Sequence, residues 1–422
     1  MITKEDLTKV IKEQRKWVES TERGISREKV EEIKLNKSFA LVVAGIRRCG
    51  KSTLLNQILK EQKIFYYLNL EDPRLEGFKL TDFNTTEEIF NEIYGTGGVY
   101  FFDEIQNIEK WEKFIRYLVD RKNEVMITGS NASLLSRELG TRLTGRHLSY
   151  ELFPFSYTEF LKFSKQKPSE KSYSDYLYKG GFPEFLKDND ETLLHELLRD
   201  VLMRDIVNRF GIKNTAILNK LAIYLLTNVG KEFSANSLKK MLEVKSVQTI
   251  IDYISYLEDS YLIFTIPKFS YSYKKQQVNP KKVYSIDNGL SYANSVSFSK
   301  DKGKMLENEV FLNLRKKYKE IFYFQKDKEC DFIIKEKEKV IQAIQVCYNF
   351  NKENRDQEIN GLLEAMNELR LKQGLILTHR QEDKFEIEDK EIILMPVWKW
   401  LQEESKPNKT PIKAIQRALS GS

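Results

Sequence analysis

The residues GIRRCGKST, at positions 45–53, follow a short apolar run and set a lysine and two hydroxyls directly after the second of two glycines. The spacing G-x-x-x-x-G-K-[ST] is typical of a loop that binds nucleotide phosphates with inward-turned backbone N–H groups and a helix N-terminus. Lys51 supplies a mobile cation for the β- and γ-phosphates, and the Ser52 hydroxyl is a ligand for Mg²⁺. The sequence therefore predicts binding of ATP with Mg²⁺, through Gly45, Arg48, Cys49, Gly50, Lys51, Ser52 and Thr53.

A second motif, VYFFDE at residues 99–104, ends an apolar run on two acidic residues. The four apolar residues predict a buried strand and place Asp103 at its carboxyl edge, where it joins Ser52 in holding the Mg²⁺ shell. Glu104 follows directly and is expected to polarise the attacking water as a general base. The alternative is that the two acids only end a strand, but the phosphate loop upstream favours the catalytic interpretation.

A third polar sequence, MITGSNASLL at residues 126–135, ends another apolar run. In parallel sheets, ligands bind beyond the carboxyl ends of the strands, so a polar side chain here would face the γ-phosphate. Ser130 and Asn131 are the two candidates, and Asn131 is the one we take as catalytic. Either residue would equally well cap the helix that follows.

Short apolar runs separated by helical patterns surround these motifs. The runs lie in FALVVAG, KIFYYLNL, GGVYFFDE and NEVMITGS. Strands that alternate with helices predict a doubly wound α/β fold with a parallel sheet over residues 36–152.

Beyond residue 152 the pattern becomes helical, with a turn at GGFPE. Two helical patterns and a strand-like run then favour a winged helix-turn-helix, and a basic segment around Pro280 marks a boundary. The predicted segments are an N-terminal helical segment at 1–35, the α/β core at 36–152, a helical appendage at 153–215, a winged helix at 216–275, a second α/β domain at 276–402 and a polar tail at 403–422.

The composition narrows the class of protein. The 422 residues are 41% hydrophobic and 31% charged, with a formal net charge of +7, which is typical of a globular chain and excludes a disordered one. No run of about 18 apolar residues and no apolar signal core is present, so we expect a cytoplasmic protein without membrane association. Three cysteines and three histidines form no CxxC or HxxxH pair, which argues against a structural zinc site or a disulfide framework.

Five motifs, in order along the chain, carry a family resemblance: GIRRCGKST, FFDEIQNIEKWE, ITGSNASLLS, LTGRHLSYELFPFSYTEFL and GGFPE. Together they resemble a family of AAA-type ATPases that is common in archaea and bacteria and carries a C-terminal domain related to restriction endonucleases. The resemblance implies an AAA-type ATPase core at 36–152, a helical lid at 153–215, a winged helix at 216–275 and a restriction-endonuclease-like α/β domain at 276–402.

The same resemblance implies a role for Arg146, the arginine of LTGR. It stands where an arginine finger is expected, and a finger aimed at a neighbour's γ-phosphate neutralises charge in the transition state. Arg137 and Arg142 compete for the role, and the alternative for Arg146 is a simple ion pair with a carboxylate. A finger implies assembly into a homo-oligomer.

Nucleases of the restriction-endonuclease type hold Mg²⁺ with a helix-borne glutamate, an aspartate and an E-x-K strand whose lysine steadies the attacking hydroxide. MLENEVFLNLRKK supplies Glu307 and CDFII supplies Asp331. In VIQAIQVCYN the acid is replaced by Gln345 and the lysine by Cys347, and a neutral amide is a poor Mg²⁺ ligand. Glu329 is expected to point away from Asp331. We therefore predict a degenerate domain that does not cleave DNA.

Basic residues cluster in three places after the α/β core. Lysine and arginine contacts to phosphates give affinity without reading sequence, so the clusters predict binding of DNA that is not sequence-specific. The clusters are Lys274, Lys275, Lys281 and Lys282 around Pro280; Arg315, Lys316, Lys317 and Lys319; and Lys239, Lys240 and Lys245. The alternatives are a winged helix used only for packing and lysines that serve solubility.

The leading hypothesis is an ATPase that uses hydrolysis to remodel DNA. Two other functions stay open: a nucleotide-dependent switch or assembly ATPase that acts on a protein partner, and an ATP-regulated DNA nuclease. All three use the same phosphate loop, so the sequence does not separate them.

Overall fold

The computed structural model describes residues 2–28, 30, 33–132, 143, 145–296 and 301–404. The chain divides into two compact units, the first running to Pro154 with residues 259–261, and the second from Phe155 to Glu258 and from Leu262 onward. Arg137, Arg142 and nearly all of the predicted tail lie outside the described residues.

The first unit is built on a five-stranded sheet. Its strands are β1 Ala40–Ala44, β2 Phe65–Asn69, β3 Val99–Asp103, β4 Val125–Gly129 and β5 His147–Glu151. All neighbours pair in parallel, in the order β2-β3-β4-β1-β5. Every residue of β1, β3 and β4 is buried, as expected for a parallel sheet covered on both faces. The predicted doubly wound α/β core is confirmed.

Helices pack against this sheet. They are α1 Lys4–Ser20, α2 Lys51–Leu59, α3 Asp82–Tyr94 and α4 Trp111–Asp120, with 3-10 turns at Pro73–Leu75 and Ile105–Asn107. α1 begins after Thr3, whose hydroxyl accepts a hydrogen bond from the Asp6 N–H at 3.1 Å. Its buried apolar residues include Leu7, Ile11 and Val18, which lie on one helical face, so the amphipathic pattern directs this helix onto the core.

The second unit begins with helices. They are α5 Tyr157–Ser164, α6 Glu170–Lys179, α7 Pro183–Asp188 and α8 Thr192–Asp200, followed by a π-helical stretch, Val201–Asn208. A capping box starts α5, because the Ser156 hydroxyl accepts from the Glu159 N–H at 3.2 Å while the Glu159 carboxylate accepts from the Ser156 N–H at 2.9 Å.

A small antiparallel sheet follows. The elements are α9 Thr215–Thr227, β6 Glu232–Phe233, α10 Ala235–Met241, α11 Val247–Asp259, β7 Ile263–Pro267, α12 Tyr273–Val278 and β8 Lys281–Ser285. The strand order is β6-β8-β7, and β7 pairs with β8 along its whole length. This pairing crosses residue 275, where the sequence predicts a segment boundary, because the partner strand of β7 comes only after the basic segment.

A six-stranded mixed sheet completes the second unit. The elements are α13 Asn288–Asn294, α14 Lys302–Arg315, β9 Glu320–Gln325, β10 Glu329–Glu336, β11 Lys339–Cys347, α15 Arg355–Glu368, β12 Gln373–Thr378, β13 Asp383–Ile387, β14 Lys390–Pro396 and α16 Val397–Glu404. The strand order is β13-β14-β12-β11-β10-β9. β9, β10 and β11 form an antiparallel meander, whereas β12 runs parallel to β11 and β14 runs parallel to β12. α14 therefore leads directly into the meander.

Across the described ranges, no helix is both long and apolar enough to cross a membrane.

A buried carboxyl group in α14 makes the stability of the second unit depend on pH. Glu309 is 4% exposed and accepts a hydrogen bond from the Tyr176 hydroxyl at 3.3 Å. Burial raises the pKa of Glu309 to about 7, while Lys316 opposes the shift. A raised carboxyl pKa means that ionisation is easier in the unfolded chain. The contribution of Glu309 to the free energy of unfolding therefore falls as pH rises from its unfolded pKa of 4.5 to about 7.

We predict that Glu309→Gln stabilises the protein at pH 8, by on the order of 1–3 kcal/mol, and has little effect at pH 4. Thermal unfolding of variant and wild type at both values measures the difference. The exposed carboxylate of Asp327 provides the control, since Asp327→Asn should change stability equally little at both pH values. An unchanged difference between pH 4 and pH 8 for Glu309→Gln would contradict the assignment.

Candidate functional site

The phosphate loop leaves the sheet at the carboxyl end of β1. The Gly45 N–H donates to the Gly129 carbonyl at 3.3 Å, and the Ala44 carbonyl accepts from the Leu152 N–H at 2.7 Å. A Cβ atom on Gly45 would lie 2.1 Å from the Leu152 carbonyl oxygen. Glycine is thus required at position 45 by the close approach of the chain after β5. The predicted role of Gly45 in phosphate binding remains a prediction.

The second glycine of the loop does serve the helix terminus. Gly50 is the N-cap of α2 with φ 100°, a left-handed conformation that favours glycine, and no side chain caps the helix there. Arg48 is also left-handed, with φ 61°. The start of α2 therefore presents the partial positive charge of a helix end without a capping side chain, which suits an anion.

Lys51 places a cation inside this loop. Its side chain is 4% exposed, and its ammonium donates to the carbonyls of Gly45 at 3.1 Å and Ile46 at 3.3 Å. The same nitrogen lies 3.3 Å from Oε1 of Glu104. Burial lowers the pKa of Lys51, but Glu104, Cys49 and Asp103 together outweigh burial and raise it, so the lysine stays charged.

Glu104 reaches the loop because its backbone turns sharply after β3. It adopts φ 54° and ψ 48°, a left-handed conformation unusual for a residue with a side chain. Its Oε2 accepts hydrogen bonds from the Gln106 amide at 2.5 Å and from the Ser130 N–H at 3.1 Å. Burial would raise the pKa of Glu104, but Lys51 and Gln106 outweigh it and lower the pKa. The carboxylate is thus ionised and fixed in orientation, as a general base requires.

Asp103 forms the base of the same site. One carboxylate oxygen accepts from the Thr128 hydroxyl, the other from the Tyr67 hydroxyl at 3.3 Å, and the Ser52 hydroxyl is also hydrogen-bonded to it. Burial, followed by the charge of Glu104, raises the pKa of Asp103. A hydroxyl beside a carboxylate is an oxygen donor set suited to a hard divalent cation. Ser52 and Asp103 would hold Mg²⁺, which when bound neutralises charge on the phosphates.

Three further residues that the sequence predicts at the site are Cys49, Thr53 and Asn131. The Cys49 thiol is buried and donates to the Leu152 carbonyl at 3.4 Å, while the Cys49 N–H donates to the Ile46 carbonyl at 3.3 Å. The Thr53 methyl lies beside Gly24. Asn131 is 1% exposed and lies two residues beyond the end of β4, beside Ser130. The catalytic role of Asn131 remains a prediction.

Sequence reasoning missed Arg27, which braces the loop from the N-terminal segment. The residue is 5% exposed, and its guanidinium donates to the carbonyls of Cys49 at 2.9 Å and Phe153 at 2.7 Å. It also missed Thr128 and Gln106, which position Asp103 and Glu104. None of the three has a motif signal, since their roles depend on contacts across the fold.

Arg146 lies far from the phosphate loop of its own chain. It precedes β5 at the end of the sheet where β1 begins, and its carbonyl accepts from the Ala40 N–H at 3.0 Å. The loop follows the opposite end of β1, roughly 16 Å away at about 3.3 Å per strand residue. The half-exposed guanidinium pairs with Asp120. Arg146 therefore cannot serve the site of its own chain, and its predicted action on a neighbour stays a prediction.

The second unit holds a separate carboxylate cluster. Glu307 on α14 and Asp331 on β10 are brought together as predicted, and both are buried. Between them lies Lys282, whose ammonium is 3.2 Å from Glu307, 3.0 Å from Asp331 and 2.5 Å from Glu329. The expectation that Glu329 points away from Asp331 was wrong, because residues two apart on a strand share a face.

The expectation that Lys282 is available to DNA was also wrong. We counted it among the lysines available to DNA, but its side chain is 1% exposed because β8 is packed against α14 and β10. Burial would lower the pKa of Lys282, but Glu307 and Asp331 outweigh it and raise the pKa far above its usual range. This lysine is an internal cation and offers nothing to a phosphate backbone.

In β11, Gln345 and Cys347 occupy the positions where a nuclease would have an acid and a lysine, and both contact other residues. Gln345 accepts from the Asp331 N–H at 3.2 Å and donates to Glu358 at 2.7 Å, so its neutral amide bridges β10 and α15. Cys347 belongs to the apolar core of the sheet, and its thiol donates to the Asn349 carbonyl at 3.2 Å. Among the residues that the structure describes, no group of His, Cys, Asp and Glu is arranged to hold a metal ion.

Comparison with known protein families finds three matches along the chain. Residues 37–161 match the AAA domain family, residues 170–300 a domain of unknown function (DUF8612), and residues 302–400 a second one (DUF4143). An uncharacterized protein of Methanocaldococcus jannaschii is 37% identical over 402 residues, which cover 87% of this chain and 89% of that protein. An uncharacterized protein of Haemophilus influenzae is 30% identical over 383 residues, or 85% of this chain and 94% of that protein.

Among solved structures, the Aeropyrum pernix Orc1 protein in complex with DNA has a TM-score of 0.33 and 11% identity. The alignment covers 70% of this chain and 92% of that one, a likeness too weak to support an argument about function. The chain belongs to the family of the two uncharacterized relatives, and residues 37–161 are an AAA domain of the P-loop ATPase class.

We predict that Lys51→Ala abolishes ATP binding, because it removes the buried cation of the loop. Glu104→Gln should keep ATP binding but reduce hydrolysis about 10²–10⁴-fold, since the amide preserves the shape and cannot accept the proton. Equilibrium binding of a fluorescent ATP analogue and steady-state phosphate release separate the two effects.

Lys60→Ala, at the other end of α2, is the matched control and should leave binding and hydrolysis unchanged. Equal loss of ATP binding in Lys51→Ala and Glu104→Gln would contradict the assignment of Glu104 as the base.

Proposed function

We propose that this protein is a Mg²⁺-dependent ATPase of the AAA type that assembles into a homo-oligomer, binds DNA without sequence specificity, and couples ATP hydrolysis to remodelling of the DNA. The observation that carries the ATPase proposal is the junction of Lys51, Asp103 and Glu104 at the carboxyl edge of the sheet. A buried cation, a hydroxyl–carboxylate pair and an ionised, oriented carboxylate meet there within hydrogen-bonding distance.

The position of Arg146 supports the proposed oligomer. A guanidinium at the far end of the sheet reaches a γ-phosphate only if another subunit presents its phosphate loop. The partner of Arg146, Asp120, is itself 43% exposed, so the ion pair costs little to break when a more strongly charged partner arrives.

DNA binding is supported by the basic segment between β7 and β8. Lys274 and Lys275 are exposed, and the neighbouring rings of Tyr271 and Tyr273 are 83% and 74% exposed. Large exposed rings beside cations suit contact with a sugar–phosphate backbone and its base edges. The order helix, strand, helix, helix and a β7–β8 hairpin supports a winged helix, whose wing would be this segment.

The C-terminal domain supports binding without cleavage. Its order of α14, the meander β9–β11, α15 and β12 is compatible with a restriction-endonuclease-like core, but a lysine lies among its acids and Gln345 replaces one of them. A strand-cleaving site needs a divalent cation at this place. Metal-dependent cleavage by the wild type, lost in Asp331→Ala, would make the protein an ATP-regulated nuclease.

Subunit mixing tests the oligomeric ATPase. We predict that Arg146→Ala and Glu104→Gln are each inactive alone, and that mixing them restores part of the hydrolysis, because intact arginines then face intact glutamates. Asp120→Asn is the matched control: it breaks the same ion pair but keeps the guanidinium, so it should retain hydrolysis. Equal loss in Asp120→Asn and Arg146→Ala, with no recovery on mixing, would show that Arg146 acts only through its ion pair.

Salt dependence tests the DNA surface. We predict that Lys274→Glu with Lys275→Glu weakens DNA binding and lowers the slope of log affinity against log salt by roughly 2, as expected for two lost phosphate contacts. Lys167→Glu with Lys171→Glu changes the net charge equally on exposed residues elsewhere, and should leave the slope unchanged. Equal effects of the two pairs would indicate only general attraction by net charge, and no effect of either would favour a switch that acts on a protein partner.

A further inference from the structure

The acidic cluster of the second unit already contains a cation. Glu307, Glu329 and Asp331 converge on one point, and the ammonium of Lys282 lies there, 2.5–3.2 Å from an oxygen of each. A lysine ammonium has three N–H donors and no acceptor. Three carboxylates therefore use its full donor capacity, and the ammonium has no spare donor.

The spacing of the oxygens fits an ammonium and not a bound divalent ion. Nitrogen–oxygen distances near 3 Å are ordinary for charge-assisted hydrogen bonds. Mg²⁺ requires oxygens at about 2.0–2.1 Å in near-octahedral geometry. Glu307 and Asp331 each have a further partner, since Glu307 accepts from the Tyr284 hydroxyl at 2.8 Å and Asp331 from the Val346 N–H at 3.0 Å.

The cluster of acids is accessible from solvent, so lack of access would not prevent a metal ion from binding there. Glu307, Glu329 and Asp331 line an open cleft of about 430 Å³, together with Gln345 and Glu358. Glu329 is 40% exposed and lies at the cleft side of the cluster. A second lysine at the edge, Lys304, bonds only one of the three acids, Glu307, at 2.8 Å, and its other partner is the Gly230 carbonyl at 3.1 Å.

We propose that the ammonium of Lys282 is the resident cation of this cluster. The three carboxylates would otherwise form a site for a divalent metal, and the ammonium prevents a metal from binding there. The lysine comes from β8, the second strand of the β7–β8 hairpin, whereas the acids come from α14 and β10. One side chain thus supplies the positive charge that the three acids need and joins the small sheet to the large one. This inference does not rest on the ATPase or on DNA binding.

Removal of the ammonium provides the test. All variants are made in an Asp103→Asn background without nucleotide, so that Mn²⁺ does not bind at the phosphate loop. With Lys282 present, Mn²⁺ titrated by electron paramagnetic resonance should show no saturable site. Lys282→Met, which keeps the length of the side chain without the charge, should gain one site that binds at least about tenfold tighter than any residual binding. Adding Asp331→Asn should abolish that site.

Lys304→Met is the matched control, because it removes the second lysine and leaves Lys282 in place, and it should gain no Mn²⁺ site. Saturable, Asp331-dependent Mn²⁺ binding while Lys282 is present would overturn the proposal. So would a folded Lys282→Met that gains no site.

Stability supplies an independent measurement in case Lys282→Met folds poorly. The acids then lack their cation, so adding Glu307→Gln and Asp331→Asn to Lys282→Met should recover much of the lost melting temperature. No recovery in this triple variant would show that Lys282 does not balance the acids. A failure of the proposed function, by contrast, would appear in hydrolysis or DNA binding and leave these results unchanged.

Discussion

The candidate site of the first unit depends on the contacts of the Lys51 ammonium. This group donates to the Gly45 and Ile46 carbonyls and forms an ion pair with Glu104. In the strand order β3-β4-β1, the loop after β1 and the acids after β3 are two strands apart, or about 10 Å. A long, flexible side chain spans that gap, and the left-handed turn at Glu104 brings the carboxylate back over β4 to meet it. The order of the strands, the phosphate loop and the left-handed turn at Glu104 together allow the ion pair between Lys51 and Glu104.

The two lysine–carboxylate clusters of this chain have opposite character. Lys51 forms a direct ion pair with one carboxylate, Glu104, and lies beside a helix N-terminus and two carbonyls, so an incoming phosphate adds a favourable partner. Lys282 faces three carboxylates that use all of its donors, so an incoming anion meets net negative charge. The same residue type is therefore poised for a ligand in one unit and fully occupied within the protein in the other.

Local patterns carried most of what the sequence predicted correctly. The apolar runs of β1 to β4 and the spacing of residues 45–53 are short-range signals, and they were sufficient for the parallel core and for the phosphate loop as an element of it. Arg27 and Lys282 were missed or misread because their partners lie 22 or more residues away, where periodicity carries no information. The residues that flank Lys282 are basic and polar, as in an exposed segment. Lys282 is buried only because β8 packs against α14. Gly45 shows that a motif residue can be required by a neighbouring strand.

The decisive measurement is steady-state ATP hydrolysis by the unsubstituted protein with Mg²⁺, in the presence and absence of double-stranded DNA. Hydrolysis should require Mg²⁺, and DNA should accelerate it several-fold, because remodelling requires the two activities to be coupled. Hydrolysis that is indifferent to DNA would contradict that coupling and favour a nucleotide-dependent switch on a protein partner. Absence of Mg²⁺-dependent hydrolysis under both conditions would contradict the assignment of the Lys51, Asp103 and Glu104 junction as an active site.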